Sequence, residues 1–241
     1  MMRRLINTLE EREKKAFGLH MGYSIIDGMM RGALIMNEFV FIKSLKGSNY
    51  QLGMLFQFSV IVLIFSVLFN ELLRRSINKR AFLRWVAVMT HLPLLLLIFF
   101  PKQGSDLSAE TYYHLIFLFI FLVYFLSRPL VFPTINLLLK HNYRHNNFGR
   151  LYGIATSFNK ALMLVTTLGY GILLDYDPYA FAYVFPLLGI IGAFSIFLLS
   201  RIDYTEPQKA FQKSFIDSVK TSFRNLFEIL KKNIPYRHYE V

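Results

Sequence analysis

Long apolar runs, separated by short connections that carry most of the cations, set the pattern of this chain. A helix crossing the hydrocarbon core of a bilayer needs about 20 mostly apolar residues. Six segments meet that length: 17–42, 52–73, 81–100, 112–136, 154–174 and 179–199. They are too long for barrel strands and lack the strict polar/apolar alternation of a barrel wall. The pattern therefore predicts an all-α integral membrane domain of six transmembrane helices over residues 17–200. A cytoplasmic tail, 1–16, precedes it and a cytoplasmic segment, 201–241, follows. In that last segment Phe211, Phe215, Val219, Phe223, Phe227 and Leu230 recur every three or four residues, with Lys213, Lys220, Arg224 and Lys231 between them. This is the spacing of an amphipathic helix. It suits the inner membrane face, with the basic side toward lipid headgroups, and equally the cytoplasmic ends of the spans. The sequence then stops at IPYRHYEV without a seventh apolar run, as expected of a chain cut short or of a half that dimerises.

Composition agrees with lipid as the solvent. Hydrophobic residues make up 54% of the 241, Phe alone numbers 25, and mean hydropathy is +0.40. Charged residues are 17%, against about 25% in soluble domains. The first apolar run is too long for a signal-peptide core and no A-x-A-like cleavage site closes it, so it reads as a retained anchor. Cysteine is absent, which excludes disulfides, thiolate metal sites and Cys nucleophiles.

A net charge of +12 on a soluble chain would suggest nucleic acid. Here the cations sit between the spans and fix orientation instead. Arg3, Arg4, Arg12, Lys14 and Lys15 precede span 1; Arg74, Arg75, Lys79, Arg80 and Arg84 follow span 2; Lys140, Arg144 and Arg150 follow span 4; eight more follow span 6. The alternate connections hold only Lys43, Lys46 and Lys102, and the fifth holds Asp175 and Asp177 with no cation. The expectation is a multi-pass protein of the cell (inner) membrane with both termini cytoplasmic, and no nucleic-acid partner.

Six spans with both ends inside, followed by a basic amphipathic segment, resemble the N-terminal half of a major facilitator superfamily transporter. Each half of such a protein is a pair of inverted three-span repeats. Two connections carry local resemblance. The family's 2–3 connection reads G-x-x-x-D-R-x-G-x-R-R, and NELLRRSINKR places Arg75, Lys79 and Arg80 on its basic positions. Asn70 and Ile77 replace its glycines, Arg74 stands in place of the acid, and Glu71, one turn earlier, is the candidate for the acidic role. NNFGRLYGI is similar to the R-G-R-x-x-G that opens span 5 in the family, through Gly149, Arg150 and Gly153. Arg128 sits where many proton-coupled members keep an intramembrane arginine, although the Gln-Gly that follows there is absent. The span-5 Gly-Pro of drug/proton antiporters is also absent. The resemblance implies alternating access around a central cavity, gating by Glu71, Arg75, Lys79, Arg80, Gly149 and Arg150, and a missing second six-helix half or a second copy as partner.

Charges inside the spans are the candidate chemistry. Asp27 and Arg31 lie four residues apart near the middle of span 1 and so share a helix face. A lone ion at that depth costs several kcal/mol. The pair is either a self-neutralising packing element or the polar wall of a cavity that binds solute and proton. The second reading is favoured, because a structural ion pair gains little over an apolar pair of the same volume. Gly28 and Gly32 beside it permit close helix approach. Arg128, next to Pro129 and Pro133, and Lys160 are further intramembrane cations; Lys160 could instead snorkel to the interface. Tyr23, Asn136 and Asn159 are polar candidates for the same cavity, His91 reads as a core histidine bonded to a carbonyl rather than a relay, and Glu38 near the outer end as a snorkelling carboxylate. The Phe-rich LIFLFIFLVYF is lipid-facing or packed filler. Arg31, Arg128 and Lys160 against Asp27 leave a cationic excess, which points to an anionic or zwitterionic solute, with Asp27 as the proton-titrating group. No cofactor or metal is called for. DGMMRG does not complete the acid-rich motif of CDP-alcohol phosphotransferases, and His141 and His145 lack an accompanying carboxylate, so an integral-membrane enzyme is the weaker alternative. A non-transporting membrane subunit of the same fold is the stronger one.

The cysteine-free sequence makes the topology directly testable. Single cysteines replacing Arg80 or Arg150 are expected to react with an impermeant maleimide from one side of sealed vesicles, and Lys46→Cys or Asp177→Cys from the other; labelling of all four from one side rejects the six-span reading.

Overall fold

The computed structural model describes residues 9–76, 78–101, 111–204 and 214–232. Arg3, Arg4, Ile77, Lys102, Phe211, Lys213 and the closing IPYRHYEV, all used above, lie outside the described residues. Within them every regular element is helical: α1 Glu11–Leu34, α2 Asn37–Lys43, α3 Asn49–Ile64, α4 Ser66–Arg75, α5 Lys79–His91, a 3-10 run Leu92–Phe99, α6 Thr111–Phe125, α7 Ser127–Asn142, α8 His145–Tyr176, α9 Phe181–Leu199 and α10 Phe215–Lys232.

Among the described residues four stretches are long and apolar enough to cross a membrane: Lys79–Phe99, Tyr112–Asn142, His145–Tyr176 and Phe181–Leu199. The first two expected spans are each divided. Span 1 breaks between α1 and α2, where the Asn37 side-chain amide donates to the Leu34 carbonyl at 2.6 Å, a local bond that competes with continuing the helix. Span 2 breaks at Phe65 between α3 and α4, and nothing in the local sequence accounts for it. Two later irregularities follow from proline, which cannot donate to the carbonyl four residues back. Pro93 turns the end of α5 into the 3-10 run, and Pro129 leaves the Phe125 carbonyl without its helical donor where α6 gives way to α7. Span 5 departs in the opposite sense. The expected connection through Gly149 and Arg150 is already helical, so α8 begins nine residues ahead of the predicted span at 154.

Start signals work locally. The Asn78 side chain accepts from the Ala81 N–H at 3.0 Å at the head of α5, and Ser48 and Gln51 cap each other reciprocally at the head of α3.

The helices pack around α1, which lies between α8 and α9. On the α8 side a Cβ on Gly28 would strike the Asn159 carbonyl, and one on Gly32 would come within 2.8 Å of the Thr166 Cβ and 3.1 Å of the Thr167 nitrogen. This is the small-xxx-small contact of membrane helices, and Thr167 Oγ1 closes it by donating to the Gly32 carbonyl at 2.8 Å. Elsewhere α3 packs on α6, α4 on α7, α9 on α5 and its 3-10 continuation, and α6 on that same continuation.

Two hydrophobic clusters result. One gathers Phe41, Phe117, Phe121, Phe181 and Phe185; the other gathers Leu83, Leu138, Leu139, Leu151 and Leu199. The Phe-rich run thus serves both purposes: Phe117 and Phe121 are fully buried while Phe119 faces outward. Large apolar side chains stand exposed all round, among them Leu164, Val165, Leu168 and Ile172 along α8, as a lipid-facing exterior requires.

Polar contacts collect beyond the clusters, at two ends. At one, Glu13 accepts from the Arg144 backbone N–H at 2.9 Å and from the Asn147 amide at 3.1 Å. Asp203 pairs there with Lys15 at 3.0 Å and Arg80 at 2.7 Å, and Arg12 donates to Asn142 at 3.0 Å. Burial alone would raise the Glu13 carboxyl, but the Arg144 and Glu10 backbone N–H groups, the Asn147 amide and the Arg144 charge together outweigh it and hold the group below the usual carboxylate value. Asp203 is held low chiefly by its bond from Lys15, with Arg80 adding to it, against the opposing effect of burial. At the other end Lys43 pairs with Asp175 at 2.8 Å, His114 Nε2 bonds the Leu45 carbonyl at 2.7 Å, and Tyr179 donates to the Phe100 carbonyl.

The α1–α8 contact leaves no room for a side chain at position 32. Gly32→Leu is expected to lower the thermal unfolding midpoint in detergent by several degrees, in line with about 1–3 kcal/mol for overpacking, whereas Gly18→Ala, in open space, leaves it unchanged. Equal midpoints for the two variants would contradict the contact.

Candidate functional site

Asp27 sits between the two clusters, and its carboxylate is satisfied from two helices. Arg31 Nε lies 3.0 Å from Oδ1 and 2.9 Å from Oδ2, one turn along α1. Tyr23, one turn the other way, donates its hydroxyl to Oδ1 at 3.3 Å. From α8 the Asn159 amide donates to Oδ2 at 2.9 Å and to the Ser24 carbonyl at 2.8 Å. The three residues of α1 stack by i, i+4 spacing. Asn159 reaches them because Gly28 lets the two backbones approach.

The pair borders a cavity of about 360 Å³. Its wall includes Tyr23, Asp27 and Arg31 from α1, Ser66 from α4, His91 from the end of α5, Tyr124 from α6, and Ser127 and Arg128 from α7. Arg128 makes no hydrogen bond or ion pair among the described residues. A second cavity of about 200 Å³ shares Arg31, Tyr124 and Arg128 with the first and continues to Asn37, Glu38 and Ser59.

His91 is the least expected member of the wall. Its Nδ1 lies 2.8 Å from Thr90 Oγ1, and that hydroxyl already donates to the Val86 carbonyl at 2.7 Å. The hydroxyl proton is spent, so Nδ1 carries the hydrogen and Nε2 is left as the free acceptor of the neutral ring. Nε2 is buried with no partner. Close packing holds the ring in place: a Cβ on Gly192 would lie 2.6 Å from His91 Cδ2, and Tyr124 meets the ring edge-on at a 5.7 Å centroid distance.

Tyr23, Asp27, Arg31, Arg128 and Asn159 come together as the sequence suggested. Lys160 and Asn136 do not join them. Lys160 is exposed on α8 and Asn136 half-buried on α7, and neither lines either cavity. Tyr124, Ser127 and Ser66 were missed: Tyr124 is the one hydroxyl in the Phe-rich run, and isolated serines in apolar helices carry no signal of their own.

The candidate gating residues occupy the end that holds Glu13 and Asp203. Glu71 is buried and takes Arg74 at 2.8 Å and Arg75 at 2.7 Å. Arg75 also donates to Ser218 of α10 at 3.2 Å, with its guanidinium 5.6 Å from the Phe215 ring. These contacts place α10 against α4. Lys79 donates to the Leu73 carbonyl at 2.6 Å, and Arg80 to the Ile202 carbonyl at 3.1 Å. Gly149 and Arg150 are exposed in the first turns of α8, and nothing lies within 4 Å of where a Gly149 Cβ would be, so no close approach there demands glycine. Among the described residues no three His, Asp or Glu side chains gather as a metal site. Comparison with protein-family models, with curated proteins and with solved structures finds no match.

If Asp27 and Arg31 act as one unit, their substitutions are non-additive. Asp27→Leu and Arg31→Met are each expected to destabilise the protein in thermal melts, and the double variant to recover about 0.5–3 kcal/mol of the summed loss; strict additivity would mean the pair contributes nothing as a pair.

Proposed function

We propose that this protein is a secondary transporter that carries a small anionic or zwitterionic solute across the membrane by alternating access, in a six-span arrangement like one half of a major facilitator superfamily protein. The observation that carries the reading is Arg128. It has no ion-pair partner among the described residues and stands exposed on the wall of a cavity that also holds the Asp27–Arg31 pair, between two apolar clusters. An uncompensated guanidinium at membrane depth is costly, and a solute bearing a carboxylate would supply its missing partner.

Two features of the architecture support it. The polar contacts at the two ends divide the chain as six alternating passes would: segments near 10–15, 80, 142–147 and 203 share one end, and segments near 43–45, 100–114 and 175–179 share the other. The neighbour pattern also survives exchanging spans 1, 2 and 3 with 4, 5 and 6. Span 1 packs on 5 as span 4 packs on 2, span 1 on 6 as span 4 on 3, and span 3 on 6 maps onto itself. Three-span repeats predict that pairing. In this reading protonation of Asp27 loosens Arg31, which then joins Arg128 on the solute, and rocking of the helices exposes the cavity to each side in turn.

A non-transporting subunit is favoured by one observation, Arg74 in place of the family's acidic residue, and counterflow separates the two. In proteoliposomes preloaded with pooled organic acids and amino acids, the wild-type protein is expected to exchange labelled solute, Arg128→Ala to reduce exchange at least tenfold, and Asp27→Asn to flatten its pH dependence. No exchange by well-folded wild type rejects transport, and an unchanged pH profile in Asp27→Asn rejects the proton role.

A further inference from the structure

We infer that the two joined cavities form one bipartite site for a small zwitterion of the α-amino-acid type, with its carboxylate on Arg128 and its ammonium at Glu38 and Asn37. This rests on the transport reading for the solute's passage, but the site itself is carried by unmet groups in the wall. Glu38 makes no ion pair or hydrogen bond among the described residues. Asn37 is 3% exposed; its amide nitrogen is committed to the Leu34 carbonyl at 2.6 Å, and its Oδ1 is buried with no partner. The smaller cavity therefore presents a carboxylate and an amide oxygen, two acceptors with no donor. The shared wall presents the opposite need. Arg128 has no acceptor, and Arg31 spends only its Nε on Asp27, so its terminal nitrogens are uncommitted. Of these groups Asn37 is buried, Glu38 and Arg31 are half-buried, and Arg128 is exposed on the cavity wall; the buried amide oxygen left unmatched costs about 1–3 kcal/mol. One ligand with a cationic donor at one end and an anionic acceptor at the other matches both sets at once.

Charge balance selects the zwitterion over an anion. Lys160 lies outside the cavities, and Glu38 lies in them. The charged groups of the combined wall are then Asp27 and Glu38 against Arg31 and Arg128, which sum to zero. A ligand without net charge enters that wall without leaving an uncompensated ion, whereas a monoanion would leave one. The cationic excess counted from the sequence disappears once Lys160 is replaced by Glu38. The linked volumes, about 360 and 200 Å³, suit a single small metabolite rather than a peptide.

The test uses the full chain and three probe sets built on the same side chains: neutral L-α-amino acids, the corresponding des-amino carboxylic acids, and the corresponding decarboxylated amines. Binding is read by ligand-dependent shift of the unfolding midpoint in detergent, and carriage by counterflow in proteoliposomes. The amino acids are expected to bind at least tenfold tighter than either of the other sets. Glu38→Gln should remove that preference, lowering amino-acid affinity at least tenfold while leaving the weaker binding of the carboxylic acids unchanged, and Arg128→Ala should weaken both. The differential response of Glu38→Gln excludes simple misfolding, which would lower both together. Equal binding of amino acids and carboxylic acids by the wild type overturns the zwitterion assignment, as does an unaltered preference in Glu38→Gln or no binding of any set. Amino-acid binding without counterflow upholds the site and overturns the transport reading; counterflow of carboxylic acids alone does the reverse.

Discussion

A carboxylate buried between packed helices must find its hydrogen-bond donors inside the protein, and Asp27 imposes that demand on everything around it. One partner, Arg31, comes from the next turn of the same helix, and a second, Tyr23, from the preceding turn. The remaining donor is the Asn159 amide from α8, and it requires two backbones to run unusually close. Gly28 and Gly32 provide that closeness, and the Thr167 hydroxyl ties its far edge to the Gly32 carbonyl. The close α1–α8 contact and the satisfaction of this ion thus go together.

The polar level created in this way separates the two apolar clusters, and the separation gives each a different job. The aromatic cluster around Phe117, Phe121 and Phe185 packs on the side that carries the Lys43–Asp175 pair. The aliphatic cluster around Leu138, Leu139 and Leu151 lies on the side where Glu13, Arg144 and Asp203 bind segments far apart in sequence. Exposed ion pairs of this kind are individually weak; Glu13, buried and accepting from a backbone N–H, is the exception that fixes the 144–147 turn to the start of α1. Docking α10 through Arg75 adds the last helix to that same end, beside the buried Glu71.

How much of this could be read from the residues depends on sequence distance. The i, i+4 ion pair, the glycines beside it and the apolar runs are local patterns, and the helices, the close contact and the Asp27–Arg31 bond follow from them. Asn159 joining Asp27 is a relation between residues 132 apart; it was a candidate by polarity alone, as were Lys160 and Asn136, and only packing distinguishes the three. Glu38 was read as a snorkelling carboxylate because its depth in a continuous helix would place it near the interface. The helix is instead interrupted at Ile35–Met36, where the Asn37 amide bonds the Leu34 carbonyl, and Glu38 beyond the break lines the smaller cavity. Pro93 and Pro129 mark irregularities in the helices, whereas Pro133 sits within α7 and the break at Phe65 has no such marker.

The distribution of these interruptions links structure to the proposed action. Each of the first four spans is irregular near a residue of a cavity wall: span 1 beside Asn37 and Glu38, span 2 beside Ser66, span 3 just after His91, span 4 just before Ser127 and Arg128. Spans 5 and 6 are unbroken helices, α8 and α9. Non-helical backbone is tolerated at membrane depth only where protein or a water-filled cavity receives its unpaired groups, so irregularity concentrated on the cavity side is what a polar interior permits and a lipid-facing surface forbids. In the proposed transport cycle the helix junctions at 35–36, 65 and 126 would change angle without breaking a long ladder of backbone hydrogen bonds, while α8 and α9, which pack on α1 at Gly28, Gly32 and Gly192, would form the frame against which they move. A solute bridging Arg128 and Glu38 would span the junctions of spans 1 and 4 at once, and its arrival or departure would bear directly on the angle between them.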